Sequence, residues 1–246
     1  MRMAPLPVAL WQTPHPQDSA QALLWLDAAA RDAAAGGARW LVTPEMFLTG
    51  YLIDPAVLGH RAEPVEGPLI EAARALARQH GIGIVTGWPE ARNGALPFNS
   101  VAAIGETGEV LAVHRKLHLF GEGDALRFST GTLPPAMFEW QGWRLGLLIC
   151  FDVEHDAPLQ SLAARGAHAV LVPTANMVGF DSVQQQRLPD AARRFGLAIA
   201  YANACGREAD TVYNGLTCAF NAAGHRLARA GTGPELLLAT VAPPAP

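Results

Sequence analysis

The sequence has few of the features that mark secreted, membrane or nucleic-acid-binding proteins. Three cysteines in 246 residues are too few for a disulfide framework, which indicates a reducing compartment. No stretch approaches the roughly 18 uncharged apolar residues of a membrane helix, and residues 1–17 show no signal-peptide pattern. Basic clusters are absent and the net charge is −4, so neither nucleic acid nor a membrane surface is an expected partner. A soluble, cytoplasmic, globular protein is therefore expected.

Lysine is the scarcest charged residue. Of the 18 basic residues, only Lys116 is a lysine and the rest are arginines. A bias toward arginine explains the many arginines but not the single exception. Arginine and lysine are not interchangeable where a compact ammonium is required. This count alone leaves two alternatives open. Lys116 has a specific role, or it is a surface lysine retained by chance.

Short apolar stretches alternate with amphipathic ones along the chain, and this pattern predicts an α/β fold. Phe98–His114 predicts a hairpin around a Gly-Glu-Thr-Gly turn. We expect one domain over residues 1–246, with an irregular tail at 241–246. The predicted strands are Leu6–Trp11, Trp40–Thr43, Ile82–Trp88, Ser100–Ile104, Val110–His114, Arg144–Ile149, Ala169–Pro173 and Leu197–Ala202. The predicted helices are Asp18–Ala35, Pro68–His80, Ala157–Arg165 and Ser182–Phe195, the last kinked or shortened by Pro189.

Three potentially reactive side chains each follow a predicted strand. They are Glu45, Lys116 and Cys150. Ligand sites of α/β sheets gather where strands end, and we expect all three to meet at one sheet edge. Each alone has a plain alternative: a loop carboxylate, a surface lysine or an inert buried cysteine. Cys205 and Cys218 are expected to be inert.

The three groups together suit nucleophilic catalysis. A thiolate can attack an amide or nitrile carbon and form a covalent intermediate. A neighbouring carboxylate can take the thiol proton, pass it to the leaving amine and then activate water. A fixed ammonium can stabilise the developing oxyanion.

A metal site is the main alternative chemistry. Asp152, Glu154 and Asp156 lie close in sequence, and His114 and His118 are four residues apart. We expect a turn and a helix start at the acidic residues, where such side chains commonly cap the helix. A metal site is therefore not predicted.

Four segments together resemble the nitrilase, or carbon–nitrogen hydrolase, superfamily. They are Pro44–Tyr51 (PEMFLTGY), His114–Gly121 (HRKLHLFG), Gly146–Asp152 (GLLICFD) and Val172–Met177 (VPTANM). The resemblance implies an α-β-β-α sandwich and a Glu–Lys–Cys triad that uses no cofactor. It implies Glu45 as general base, Lys116 as transition-state stabiliser and Cys150 as nucleophile, with the backbone N–H of Phe151 completing the oxyanion hole. On the same grounds, Tyr51 and Asn176 lie near the substrate.

Within that superfamily the chain looks most like small aliphatic amidases of the 5-aminopentanamidase or stereoselective-amidase type. Many relatives carry a second Glu after the lysine. Here Glu122 and Asp124 are both available, and the preference is for Glu122. Relatives commonly dimerise, so a homodimer is expected.

The expected activity is thiol-dependent hydrolysis of a small carboxamide to a carboxylate and ammonia. N-carbamoyl or nitrile hydrolysis by the same machinery is an alternative. A catalytically silent binding module of the same fold is the alternative from another class. The acyl group, its stereochemistry and the pathway do not follow from the sequence.

Overall fold

Two six-stranded sheets face each other at the centre of the molecule. The computed structural model describes residues 3–132 and 134–243. The first sheet has the order β14-β1-β2-β3-β4-β5 and the second β13-β12-β9-β8-β7-β6, while β10 and β11 form a separate hairpin. The strands are β1 Leu6–Gln12, β2 Trp40–Val42, β3 Gly83–Glu90, β4 Phe98–Ile104, β5 Val110–Arg115, β6 Met137–Trp140, β7 Trp143–Leu147, β8 Ala169–Thr174, β9 Ala198–Asn203, β10 Cys205–Glu208, β11 Thr211–Asn214, β12 Cys218–Phe220, β13 Arg226–Arg229 and β14 Glu235–Val241.

Each sheet has a parallel centre with antiparallel strands at its edges. Strands β1, β2 and β3 run parallel, as do β7, β8 and β9. The remaining pairs in both sheets are antiparallel. Parallel strands place their carboxyl ends on one side, which is where loops can assemble a site.

Helices cover the outer face of each sheet and complete an α-β-β-α sandwich. The helices are α1 Ser19–Ala35, α2 Pro55–Arg61, α3 Pro68–His80, α4 Gly121–Ala125, α5 Asp156–Ala164 and α6 Leu188–Phe195, with a 3-10 helix at Cys150–Glu154 and a π-helix at Val183–Arg187. The alternation of side chains along a strand divides the core. In β2, Trp40 and Val42 face the second sheet, while Leu41 packs with the helices α1 and α3.

Local sequence signals explain the ends of the main helices. Asp18 caps α1 by accepting a hydrogen bond from the Gln21 backbone N–H at 2.8 Å. Helix α3 begins at Pro68 and ends before Gly81, whose φ of +61° suits glycine. The predicted helix Ser182–Phe195 is divided into the π-helix and α6, because Pro189 lacks the N–H for a continuous helical ladder and occupies the first turn of α6.

The predicted architecture is confirmed, with corrections at its margins. The eight predicted strands form within two residues of their expected ends. The strands β6 and β10–β14 and the helices α2 and α4 were not predicted. The expected irregular tail is corrected at Val241, which ends β14; residues 244–246 lie outside the described residues. Within the described residues, no helix combines the length and apolar character needed to cross a membrane.

Candidate active site

Glu45 lies just beyond the end of β2 and is fully buried. Its Oε1 accepts hydrogen bonds from Lys116 Nζ at 2.8 Å and from Asn99 Nδ2 at 2.7 Å. Its Oε2 has no hydrogen-bond partner among the described residues. Burial raises the pKa of Glu45 above its usual value, while the charge of Lys116 opposes this rise. One carboxylate oxygen is thus anchored, and the other is free to accept a proton.

A glycine lets the Glu45 segment lie close against the first sheet. A Cβ at Gly87 of β3 would stand 2.7 Å from the backbone nitrogen of Met46, closer than a side chain tolerates. Met46 itself has a φ of +54°, in the left-handed region that non-glycine residues rarely adopt. This unusual backbone turns the chain immediately after Glu45.

Lys116 follows β5 and lies between two carboxylates. Its Nζ is 2.8 Å from Glu45 Oε1 and 2.7 Å from Asp124 Oδ2, and all three side chains are buried. Burial lowers the pKa of the ammonium, but the charges of Glu45 and neighbouring acidic groups raise it well above its usual value. Tyr51 supports this arrangement: its hydroxyl donates to Asp124 Oδ1 at 2.6 Å, and its ring centroid is 5.7 Å from Nζ. Lys116 is therefore held as a cation.

Cys150 opens the 3-10 helix that follows β7. Its φ of +45° is strained for a residue with a side chain. The residue is partly exposed, but its thiol is enclosed by protein atoms. Burial and the charge of Glu45 raise the pKa of this thiol. The charge of Lys116 and hydrogen bonds with Thr174 and Ala175 oppose this rise but do not cancel it, so the pKa lies above its usual value. At neutral pH the cysteine is accordingly a thiol that needs a base.

The three reactive residues come from the ends of three strands, but not from one sheet. Glu45 and Lys116 follow β2 and β5 of the first sheet, whereas Cys150 follows β7 of the second. The expectation of a single sheet edge is therefore wrong. The carboxyl ends of β2 and β8 nevertheless meet, since the Glu45 backbone N–H donates to the Thr174 carbonyl at 3.2 Å.

Asp152 links the cysteine turn to the lysine segment. It is fully buried, and its Oδ1 accepts hydrogen bonds from the backbone N–H groups of Leu117 at 2.9 Å and His118 at 2.8 Å. His114 Nε2 lies 3.0 Å from its Oδ2. Burial raises the pKa of Asp152, yet the contacts with His114 and His118 lower it to about 2. This carboxylate therefore ties the helix that begins at Cys150 to the backbone that follows Lys116.

Two of the candidate metal ligands, Asp152 and Asp156, have separate partners. Asp152 faces inward to the two histidines, whereas Asp156 pairs with Arg187 at 3.0 Å and Arg194 at 2.6 Å. In the part of the chain that the structure describes, no three His, Cys, Asp or Glu side chains are grouped as metal ligands.

The other candidate residues differ in their surroundings. Glu122 is exposed, whereas Asp124, two residues later in α4, is buried against Lys116. The geometry thus favours Asp124 over Glu122 as the second acid, contrary to the sequence-based preference, because one helical turn points the two side chains in different directions. The Asn176 amide already bonds Gln184 Oε1 at 3.2 Å and Met177 N at 3.1 Å. Asn176 therefore shapes the neighbouring loop.

Asn99 is a site residue that the sequence reasoning missed. It lies in β4, one residue before the strand predicted at Ser100, and is fully buried. Its amide donates to Glu45 and thereby fixes the orientation of the carboxylate. The available signal was an amide side chain at the start of a mostly apolar strand, since buried polar groups require partners.

Comparisons with known proteins agree with this site. The Carbon-nitrogen hydrolase family model matches residues 7–245. The hydrolase in the pqqF 5′ region of Pseudomonas protegens is 38% identical over 95% of this chain and 82% of its own length. An (R)-stereoselective amidase from a Pseudomonas species is 31% identical over 80% of this chain and 70% of its own length.

Solved structures extend the similarity to the whole fold. An amidase from Nesterenkonia sp. is 35% identical, covers 99% of this chain and 92% of its own, and superimposes with a TM-score of 0.90. A structure of a mutant of the amidase from Nesterenkonia sp. AN1 shows covalent addition of the acetamide moiety of fluoroacetamide at its active-site cysteine. The resemblance to the nitrilase superfamily and the sandwich architecture are confirmed. This chain is an enzyme of the carbon–nitrogen hydrolase family.

Proposed function

We propose that this enzyme is an amidase that hydrolyses a small aliphatic carboxamide to a carboxylate and ammonia. Glu45, Lys116 and Cys150 are the proposed catalytic residues, and the intermediate is a thioester on Cys150. The observation that carries the proposal is the environment of Glu45: Oε1 is fixed by Lys116 and Asn99, and Oε2 has no partner among the described residues. A fixed carboxylate with one free oxygen is suited to shuttle a proton.

In the first half-reaction the Cys150 sulfur attacks the carbonyl carbon of the amide. The thiol proton passes to Glu45, because the raised pKa of Cys150 leaves it protonated at neutral pH. The C–N bond then breaks, and Glu45 returns the proton to the leaving nitrogen to release ammonia. In the second half-reaction Glu45 takes a proton from water, the resulting hydroxide cleaves the thioester, and the proton returns to the sulfur.

The negative charge on the carbonyl oxygen needs stabilisation at both tetrahedral stages. The Lys116 ammonium supplies a fixed positive charge in a buried setting, where its effect is large. The backbone N–H of Phe151, the residue after the nucleophile, is the proposed second donor. Asp124 keeps the lysine charged and in place through the 2.7 Å contact.

An apolar wall next to the nucleophile supports an aliphatic acyl group. The Phe151 and Phe120 rings pack edge-on with their centroids 5.3 Å apart. The Phe120 and Phe180 rings do the same with their centroids 5.6 Å apart. Structures of the Nesterenkonia amidase include complexes with acrylamide and with butyramide. Such apolar rings favour burial of a short hydrocarbon chain over a charged one.

The decisive test is ammonia release from a panel of short amides, ω-amino amides, N-carbamoyl amino acids and nitriles. We expect the highest kcat/KM for a short aliphatic amide, with an acyl–enzyme adduct detectable by mass spectrometry. Preferential release from N-carbamoyl amino acids or nitriles would replace the proposed substrate class. No release from any member, with a folded protein, would contradict the proposal.

Replacing Asp124 by asparagine is expected to shift the pH profile and slow the reaction. The Asp124 charge raises the pKa of Glu45, and the general base works only when deprotonated. Its loss therefore moves the acid limb of kcat/KM to lower pH, and loosening Lys116 reduces kcat by about 10- to 100-fold. The matched control is Glu122→Gln, at an exposed position in the same helix. An equal shift in both variants would argue against a specific role for Asp124.

A further inference from the structure

A buried histidine and a distant glutamate contact the segment that carries Glu45. His15 lies three residues after β1, and its side chain is only 1% exposed. Its Nε2 is 2.9 Å from the backbone oxygen of Glu45, and its Nδ1 is 3.2 Å from Glu208 Oε2. Glu208 ends β10 in the separate two-stranded hairpin. Residues far apart in sequence thus meet behind the proposed general base.

Both contacts of the His15 ring are with hydrogen-bond acceptors. A backbone carbonyl can only accept a hydrogen bond, and an ionised carboxylate likewise only accepts. The Nδ1 atom lies within ion-pair distance of Glu208 Oε2 but makes no hydrogen bond among the described residues. An unprotonated Nδ1 would direct its lone pair at the carboxylate, so both contacts are favourable together only when both ring nitrogens carry protons.

Glu208 also holds the far end of the same segment. Its Oε1 accepts hydrogen bonds from the backbone N–H groups of Tyr51 at 2.9 Å and Leu52 at 3.0 Å. Its Oε2 accepts one from the Tyr213 hydroxyl at 2.6 Å. Burial raises the pKa of Glu208, but the contacts with His15 and Tyr213 lower it to about 2. Glu208 is therefore a carboxylate throughout the physiological range.

The segment held in this way, residues 45–52, carries two groups of the proposed active site. Its first residue supplies the Glu45 carboxylate, and Tyr51 supplies the hydroxyl that bonds Asp124. Its second residue, Met46, has the disfavoured φ of +54°. A strained backbone persists only where surrounding contacts hold it, and His15 and Glu208 provide contacts at the two ends.

We propose that His15 and Glu208 form an imidazolium–carboxylate pair that positions the Glu45 segment for catalysis, with the His15 contact to the Glu45 carbonyl as the essential link. This inference rests on the proposed function, because it assigns a purpose to the placement of Glu45. Neither side chain is proposed to touch the substrate. Both are positioning residues that act through Glu45.

Two conservative substitutions separate the two contacts of His15. A glutamine amide nitrogen reaches the position of Nε2, so His15→Gln can keep the bond to the Glu45 carbonyl. An asparagine amide reaches only the position of Nδ1, so His15→Asn keeps the contact with Glu208. His15→Phe preserves a ring against Tyr51 and Tyr213 but removes both polar contacts. The exposed residue His60, changed to glutamine and asparagine, gives the matched controls.

We expect His15→Gln to keep kcat within about threefold of the wild-type value. In His15→Asn and His15→Phe, kcat should fall by about 10- to 100-fold with little change in KM, as expected for a displaced general base. Thermal unfolding of all variants shows whether these losses follow stability. If His15→Phe does not fold, the glutamine–asparagine comparison still decides the matter. Equal losses in those two variants, or full activity in His15→Asn, would overturn the proposal.

A second readout does not depend on turnover. Nitrogen–proton NMR correlation of the His15 ring should show both nitrogens protonated at neutral pH in the wild type, and a neutral ring in Glu208→Gln. A neutral ring in the wild type would overturn the ion pair. If the wild type hydrolyses no amide, the proposed function fails, and the rate of Cys150 alkylation by iodoacetamide replaces kcat in the variant comparison.

Discussion

A Cys150→Ala variant is expected to fold normally and to lose amide hydrolysis by about 10⁴-fold or more. The change removes the sulfur that forms the thioester in the proposed mechanism. The alanine side chain offers no nucleophile in its place. Alanine keeps the Cβ and tolerates the φ of +45° as well as cysteine does. The change removes a single sulfur atom, so any cavity it leaves is small. Initial rates of ammonia release and intact-protein mass spectrometry with substrate measure the loss.

The chain provides two matched thiol controls for this experiment. Cys205 and Cys218 are free and buried at 1% exposure. Burial raises the pKa of Cys205 to about 11 and that of Cys218 to about 12. Neither has a base arranged as Glu45 is for Cys150, so Cys205→Ala and Cys218→Ala should retain kcat and lose only some stability. Substantial turnover by Cys150→Ala would refute a thioester at that residue.

Replacing Lys116 by methionine is expected to damage both stability and activity. Methionine matches the length of the aliphatic chain but leaves Glu45 and Asp124 buried without their shared cation. Removing one partner of a buried ion pair typically costs about 3–5 kcal/mol in unfolding free energy. Loss of an oxyanion-stabilising charge typically lowers kcat by about 10²- to 10³-fold. Urea unfolding and initial rates measure the two effects separately.

The pH dependence of that stability loss has a definite sign. Without Lys116, burial and the charge of Asp124 raise the pKa of Glu45 above its unfolded value, whereas Asp124 keeps its contacts with Arg127 and Tyr51. When a carboxyl has a higher pKa in the folded than in the unfolded protein, the free energy of unfolding is larger at pH values below the unfolded-state pKa and falls as the pH rises. The destabilisation by Lys116→Met should therefore be smaller near pH 5 than near pH 8. The triple variant Glu45→Gln, Lys116→Met, Asp124→Asn should recover part of it, whereas no recovery would contradict the ion-pair explanation.

The sequence predicts the reactive groups better than their surroundings. Glu45, Lys116 and Cys150 each follow a predictable apolar strand, and motif spacing connects them. The choice between Glu122 and Asp124 depends on the orientation of one turn of α4, which periodicity cannot define over five residues. The role of Asn99 depends on a strand boundary displaced by two residues. The His15–Glu208 contact joins residues far apart in sequence, and no local pattern signals it.

The pairing of β1 with β14 determines when this protein can complete its first sheet during synthesis. Leu6 lies opposite Val241 and Gln12 opposite Glu235, so the first strand leaves the ribosome long before its partner is made. Until then one side of β1 presents unpaired N–H and C=O groups, an edge that can join other chains. Contacts between residues so distant in sequence also form slowly. Nascent chains stalled before β14 are thus the species most prone to aggregate, and chaperones that shield strand edges would act at this stage.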